Sequence, residues 1–428
     1  MSEEIALTTD NGSESPCVLC WETASWMQLK AYKHGVCPRK CLTLFSQSYI
    51  LAAQINKPFL HVWDISKEQM HCKIMCPATP TALAVSPNGL FCAVACSEII
   101  YIWQVGTGNL LCTLSKHFQP ITCLNFTDDS SYLISGADDN LVSVWPLVRV
   151  LSHSRGFEVE TITPKYTWSS HSLPITSIHV GCGGKYSRVA TSSLDHTCKL
   201  WDLSTGHLLR SFIYDVAIIS VVMDAAEYRL FAGGMDGKIY SVCLFSQTME
   251  RENLDEHTGA QCYVGHSLQV NSLSLSMDGS TLLSGSKDCT ARVWDVSSKQ
   301  CLRVLEHKGS VENVRIYPHF QNFDIKRSKP SLPVLGTFKR SLHDFSSQEE
   351  KVPIKIFERK NGHEKQASRD HLLECVLREN CDDELCGDEK VLNKTELNEQ
   401  LKDSKQLNQA LYKFAVEELL SEVREQSQ

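Results

Sequence analysis

Trp21, Trp63, Trp103, Trp145, Trp201 and Trp294 each stand at or near the end of a short run rich in β-branched and aromatic residues, as in FLHVW, IIYIW, TCKLW and TARVW. A further run, KIYSVCL, fills the gap between Trp201 and Trp294. Aligning Asp236 with Asp195 and Asp288 puts Val242 where the indole would stand. The seven marks are 42, 40, 42, 56, 41 and 52 residues apart. Self-similarity at a period of about 40–45 residues signals a unit of four short strands. One such sheet cannot bury both of its faces, so it must stack on copies of itself, and a closed radial ring of sheets leaves few open edges. The two long intervals predict insertions at residues 146–170 and 245–264.

The best-defined unit, residues 282–302, shows what sets the spacing. LLSGS, ARVWDV and QCLRVL read as three strands, with KDCT as the tight turn between the first two. Asp288 lies six residues before Trp294, and Gly265-His266 lies 28 residues before it. This is the layout of a WD40 blade. His266, Ser284, Asp288 and the indole N–H of Trp294 can form one hydrogen-bonded chain, which tolerates burial only if complete and then fixes strand register. The same set of four can be written for His117, Ser135, Asp139 and Trp145, and for His171, Thr191, Asp195 and Trp201. The other blades are irregular. Val242 and Ala232 replace two groups in the sixth, and Ser15, Lys57 and Ser97 occupy the turn-Asp place in the first three. The fourth, fifth and seventh blades are therefore expected to be the most rigid. The expected fold is all-β, a seven-bladed WD40 β-propeller over residues 1–318 with a C-terminal α-helical, coiled-coil-like tail.

Ring closure is also legible. Before Trp21 there is room for only one strand, EIALTT at 4–9, so the first blade lacks its innermost strand. SVENVRIYP at 310–318 has the pattern to supply it and leave no free edge. Residues 319–390 read as an irregular linker, with one edge strand in SLPVLGTF and a short helix at 370–379. Residues 391–425 contain no Gly or Pro and are rich in Leu, Glu, Lys and Gln, the composition of a long helix. Tyr412, Val416, Leu419 and Val423 follow steps of 4, 3 and 4 residues. That spacing suits self-association or partner binding; a helix packed along the propeller is the alternative.

The net charge of −8 is concentrated in this tail, where residues 367–428 carry 8 Lys and Arg against 15 Asp and Glu. The nearly neutral remainder has no global basic field for nucleic acid. A patch at Lys326, Arg327, Lys329, Lys339 and Arg340 reads as a solvated run, with nuclear import or RNA contact as the functional alternative. No signal-like N-terminus and no run of about 18 apolar residues is found, so no membrane span is expected. The 19 cysteines are scattered through strand positions, which suits a reducing cytosol or nucleus. Cys17, Cys20, Cys37 and Cys41 have zinc-site spacing, but Cys17 and Cys20 are three apart on a strand and point to opposite faces. Neither metal nor cofactor is expected. GxxxxGK, HExxH and GxSxG are all absent, and the hallmark histidines have structural positions, so no enzyme is expected.

The phrases KIMCPATPTALAVSPNGLF (73–91), VATSSLDHTCKLWDLS (189–204), DVAIISVVMDAAE (215–227) and LLSGSKDCTARVWDVSSKQC (282–301) resemble the WD-repeat protein eighteen family, whose fungal relative is the WD40 subunit of the rixosome. The resemblance spans about residues 60–317 and implies a non-enzymatic scaffold in large-ribosomal-subunit assembly. Implied partners are a helical-repeat scaffold rich in proline, glutamate and leucine and a testis-expressed HEAT-type subunit. Through these follow the midasin ATPase and pre-ribosome, a SUMO protease and an endonuclease of the internal transcribed spacer. The family's tail helix pairs with a second copy, which would put Leu407, Leu411, Phe414 and Leu419 at a partner or homodimer contact. The implied location is the nucleus, nucleolar and nucleoplasmic, with the cytoplasm as a further compartment. Two other classes stay open: a peptide-binding scaffold in signalling or chromatin, and a ubiquitin-ligase receptor. Against the receptor, Ser66, Ser204 and Ser297 stand where Arg would follow Trp-Asp.

Overall fold

A computed structural model of the chain describes residues 4–12, 18–33, 35–45, 48–65, 68–154, 162–244, 251–253, 261–318, 335–336 and 338–339. All belong to the first of two units, Met1–Val352; the second, Pro353–Gln428, lies outside them, and with it both tail-helix expectations.

The described residues form seven sheets, six of four strands and one of five. Their innermost strands are Val311–Pro318, Leu42–Phe45, Pro80–Val85, Ile121–Phe126, Ile175–Val180, Ile218–Met223 and Val270–Leu275. Neighbouring inner strands touch around the axis, as Pro80–Val85 does with Leu42–Phe45 and Ile121–Phe126. The seventh blade shows how burial falls outward. Its inner strand and Thr281–Ser286 are almost wholly buried, Thr290–Asp295 alternates, and Cys301–Glu306 is exposed except at Leu305. On the second strands, Gly136, Gly233 and Gly285 leave the space into which the next blade's Ile175, Val270 and Val311 press. A Cβ at any of them would approach those side chains to within 3 Å.

The first blade is built from both ends of the propeller. Glu4–Asp10 pairs antiparallel with Val18–Glu22 on one side and with Val311–Pro318 on the other. The shared core continues this closure, with Ala6, Trp21 and Trp26 packing in one cluster with Leu283, Val293 and Val311.

The first long interval contains a helix, Leu147–Ser154, that follows Trp145 directly and buries Leu147 and Val150. The second contains Arg251–Asn253, which pairs parallel with Leu208–Ile213 and becomes the fifth strand of the fifth blade. The edge strand expected in SLPVLGTF is corrected over its described residues. Gly336 N–H donates to Val105 O (2.9 Å) and Lys339 N–H to Gly108 O (2.7 Å). These acceptors belong to the turn after Trp103, so the segment caps a turn instead of extending a ladder. Phe338 stacks on Trp103 with centroids 5.1 Å apart. Among the described residues, no helix is long and apolar enough to cross a membrane.

Candidate functional site

Three blades carry a complete buried relay. In the seventh, Trp294 Nε1 donates to Ser284 Oγ (2.8 Å), which lies 2.7 Å from His266 Nε2, and His266 Nδ1 lies 2.9 Å from Asp288 Oδ2. In the fourth, Trp145, Ser135, His117 and Asp139 are joined at 3.0, 2.8 and 2.9 Å. In the fifth, Trp201, Thr191, His171 and Asp195 are joined at 3.0, 2.9 and 2.9 Å. An indole N–H can only donate and a carboxylate can only accept, so Nδ1 must carry a proton, and in a neutral ring Nε2 then accepts from the hydroxyl. Electrostatics agree in the seventh blade. Burial pushes the His266 imidazole below its usual range, more than Asp288 raises it. Burial alone would raise Asp288, yet hydrogen bonds from Thr290 and His266 hold it low. Asp195 is held far below the usual carboxylate range in the same way, burial being outweighed by His171 and Thr197.

Each aspartate also builds its turn. Its second oxygen accepts the N–H two residues on (Leu141, Thr197 or Thr290, all at 3.0 Å), while the residue between takes a positive φ at Asn140, His196 and Cys289. One carboxylate thus sets both a hairpin and a cross-blade bond, which is why Asp recurs there.

The irregular blades satisfy their polar groups by other routes. Asp236 in the sixth takes the Tyr240 hydroxyl (2.8 Å) in place of a histidine. Trp63 Nε1 donates to Lys33 O (3.1 Å) and Trp103 Nε1 to Lys339 O (2.8 Å). In the first blade Trp21 Nε1 donates to Thr8 Oγ1 (2.9 Å), with His307 edge-on at 6.0 Å and 3.9 Å from Asp10. His307 precedes Val311 by four residues, as His266 precedes Val270. That spacing was the available signal for a residue that sequence reasoning missed. Lys57 sits over the Phe59 ring at 5.9 Å, and Ser97 takes a left-handed turn conformation.

The inner strands enclose a channel, and the loop entering the second blade crosses its mouth. Arg39 Nη2 donates to Ile219 O (3.3 Å) and Asn271 O (3.2 Å). Lys40 Nζ donates to Ser177 Oγ (2.8 Å), and its main-chain N–H to Asn313 Oδ1 (2.7 Å). Both residues are half-buried, and the Arg39 Nε is fully buried. Burial, with Arg315 and Arg39 close by, lowers the Lys40 ammonium to about 7. His179 sits on the inner strand Ile175–Val180, and burial, then Arg315 and Lys40, lower it to about 3. Its Nδ1 accepts the Met223 N–H at 3.3 Å, which requires the neutral ring. Arg39 and Lys40 line a cavity of about 550 Å³, together with Pro38, Ile55, Pro80, Pro120, Pro174 and Leu194, with Asp138 also at the wall.

Cys20 lies on a first-blade strand, its thiol pushed up to about 12 by burial; Cys37 and Cys41 lie in the channel-crossing loop, with Cys37 Sγ 3.4 Å from Cys41 O. Among the described residues no group of three or more His, Cys, Asp or Glu is placed to hold a metal. Ser204 and Ser297 donate to Asp202 and Asp295 at 2.8 and 2.6 Å. Ser15, Cys17, Ser66, Lys326, Arg327, Lys329, Arg340, Leu407, Leu411, Phe414 and Leu419 lie outside the described residues.

Seven radial sheets, three of them tied by buried Trp–Ser/Thr–His–Asp relays, define a WD40 β-propeller, a class that is typically a non-catalytic scaffold. The family model "WD domain, G-beta repeat" matches residues 108–146, 162–202 and 259–295, the three relay-bearing blades. WD repeat-containing protein 18 of Homo sapiens is 39% identical over 421 residues, covering 96% of this chain and 97% of the relative. That of Danio rerio is 38% identical over 97% of each. The chain belongs to the WD repeat-containing protein 18 family. A more distant relative, the pre-rRNA-processing protein pro-1 of Caenorhabditis briggsae, is 28% identical over 63% of this chain and 51% of the relative.

Proposed function

We propose that the chain is a non-enzymatic scaffold subunit of a nuclear, rixosome-like complex, acting in large-ribosomal-subunit biogenesis and in processing of the internal transcribed spacer of pre-rRNA. The observation that carries this reading is near-full-length kinship with the WD repeat-containing protein 18 family, together with the more distant kinship to a worm protein named for pre-rRNA processing. The geometry supports a scaffold. In all three relays both ring nitrogens of the histidine are engaged and the ring is buried, so none is available as a general base.

In this reading the partners are a helical-repeat scaffold rich in proline, glutamate and leucine and a testis-expressed HEAT-type subunit. The midasin ATPase and pre-ribosome, the SUMO protease and the spacer endonuclease are reached through them. The tail helix, with Leu407, Leu411, Phe414 and Leu419, supplies a homodimer or partner contact. Affinity purification of the tagged full chain from nuclei, read by mass spectrometry, should recover large-subunit assembly factors, and depletion should raise spacer-containing precursors on RNA blots. Recovery of ligase adaptors or histone tails instead, with normal precursors, would refute the reading. The dimer has its own test: equal monomeric mass for the full chain and a chain ending at residue 366 removes it. The open bowl at the channel mouth favours one second reading, a general peptide-binding scaffold in signalling, chromatin or ubiquitin-ligase complexes, which the same purification separates.

A further inference from the structure

The channel mouth holds more cationic donors than the protein can satisfy. Among the described residues, only Nη2 of the Arg39 guanidinium is held, and Nε is buried with no partner. The Lys40 ammonium has three N–H bonds and, among the described residues, one acceptor, Ser177 Oγ. Outside the cavity lining, Arg315 lies within electrostatic reach of Lys40 as a third cation, and His179 lies near both. Against them stand Glu312, already bonded by Ser310 Oγ (2.6 Å) and Asn271 Nδ2 (3.3 Å), and Asp138 at the wall, its carboxyl raised by burial and then by Asp139. Buried charges are ordinarily paired, because an unpaired one forfeits hydration without recompense. Here positive charge exceeds negative beside a cavity much larger than one small anion needs.

We propose that this mouth is a binding site for a phosphoryl group, seated between Arg39 and Lys40 with its carrier against the aliphatic rim. A phosphate monoester brings close to two negative charges and several acceptor oxygens, which matches an arginine fork beside a lysine. The rim of Pro38, Ile55, Pro80, Pro120, Pro174 and Leu194 offers the carrier an apolar collar. A bound dianion would also hold Lys40 protonated, so anion affinity should fall as pH rises above neutrality. Of the titratable groups, Arg39, Lys40 and Asp138 line the cavity, and Arg315, Glu312, Cys123 and His179 lie within electrostatic reach of Arg39 or Lys40. The site stands whether or not the chain serves ribosome assembly.

The test uses the intact chain and two probes. Pyrophosphate represents a free phosphorylated molecule, and N-acetyl-Leu-phosphoserine-Leu amide represents a phosphorylated side chain, with its unphosphorylated form as control. Calorimetry at pH 7, in sodium chloride of matched ionic strength, should show saturable binding of a phosphorylated probe. Tighter binding of the peptide would assign the carrier as protein, and tighter binding of pyrophosphate would assign a small molecule. Arg39→Gln and Lys40→Gln should each weaken it about tenfold or more, as loss of a charge-assisted bond implies. If Arg39→Gln does not fold, Lys40→Gln alone decides. No saturable binding of either probe, or undiminished binding in the folded variants, overturns the proposal.

Discussion

Ser284 is the central link of the seventh blade's relay, and its replacement by Ala isolates what that link contributes. The change removes one oxygen from a site with no solvent exposure, so little volume is lost. It leaves the Trp294 N–H and His266 Nε2 without their partner, both buried and both bonded to Ser284 Oγ at 2.8 and 2.7 Å. Each stranded buried group costs about 1–3 kcal/mol, so the expected loss is about 2–6 kcal/mol. That is a large share of a domain stability of about 5–15 kcal/mol. Ser272 on the same blade provides the control. Its hydroxyl is also buried but has no hydrogen-bond partner, so Ser272→Ala should be neutral or stabilising. Urea denaturation followed by far-ultraviolet circular dichroism measures both without relying on Trp294 emission. A double-mutant cycle with Trp294→Phe should show coupling of about 1 kcal/mol or more, because the stranded donor is then absent. Equal costs for the two serine variants, or no coupling, would mean that shape alone holds the blade and the relay is incidental.

Other outcomes follow from the same geometry. Trp294→Ala should cost roughly 3–5 kcal/mol by chemical denaturation, the range for emptying a large core site. Stability should fall with acid from about pH 6.5. The folded His179 value is about 3, so the unfolded chain binds a proton there that the native chain refuses. This share is complete above about pH 6.5 and declines by about 1.4 kcal/mol per pH unit below it. The urea midpoint of His179→Gln should therefore drop less between pH 7 and pH 5 than that of the parent chain; His266 and His307, both lowered chiefly by burial, add to the slope left in the variant. Gly237→Ala should lose about 1–3 kcal/mol, since its φ is +84° and a Cβ would lie 2.6 Å from His266 O. Gly106→Ala, with nothing within 4 Å of the added carbon, should be nearly neutral, and urea denaturation of the two glycine variants beside the parent chain measures both. Phe338→Ala should speed hydrogen exchange at the Gly336 and Lys339 amides about tenfold or more by undocking the segment from Trp103.

The repeat of tryptophans and the offsets from His to Ser to Asp to Trp were enough to specify a seven-bladed ring and to name twelve relay residues. Those contacts lie within one blade, where the span between partners is set by strand length and recurs in every copy. The strand shared by the two ends, Val311–Pro318 beside Glu4–Asp10, was legible too, because an unpartnered blade must take its missing strand from somewhere. What depended on closure was decided only in three dimensions. Lys339 O accepts from Trp103 across 236 residues, an offset that no repeat sets. Arg39, Lys40, His179 and Arg315 are scattered over more than 270 residues and meet only because inner strands from different blades converge on one axis. Periodicity in a sequence reports the forces inside a repeat, whereas the charge gathered at the centre of the ring is a sum over all the blades.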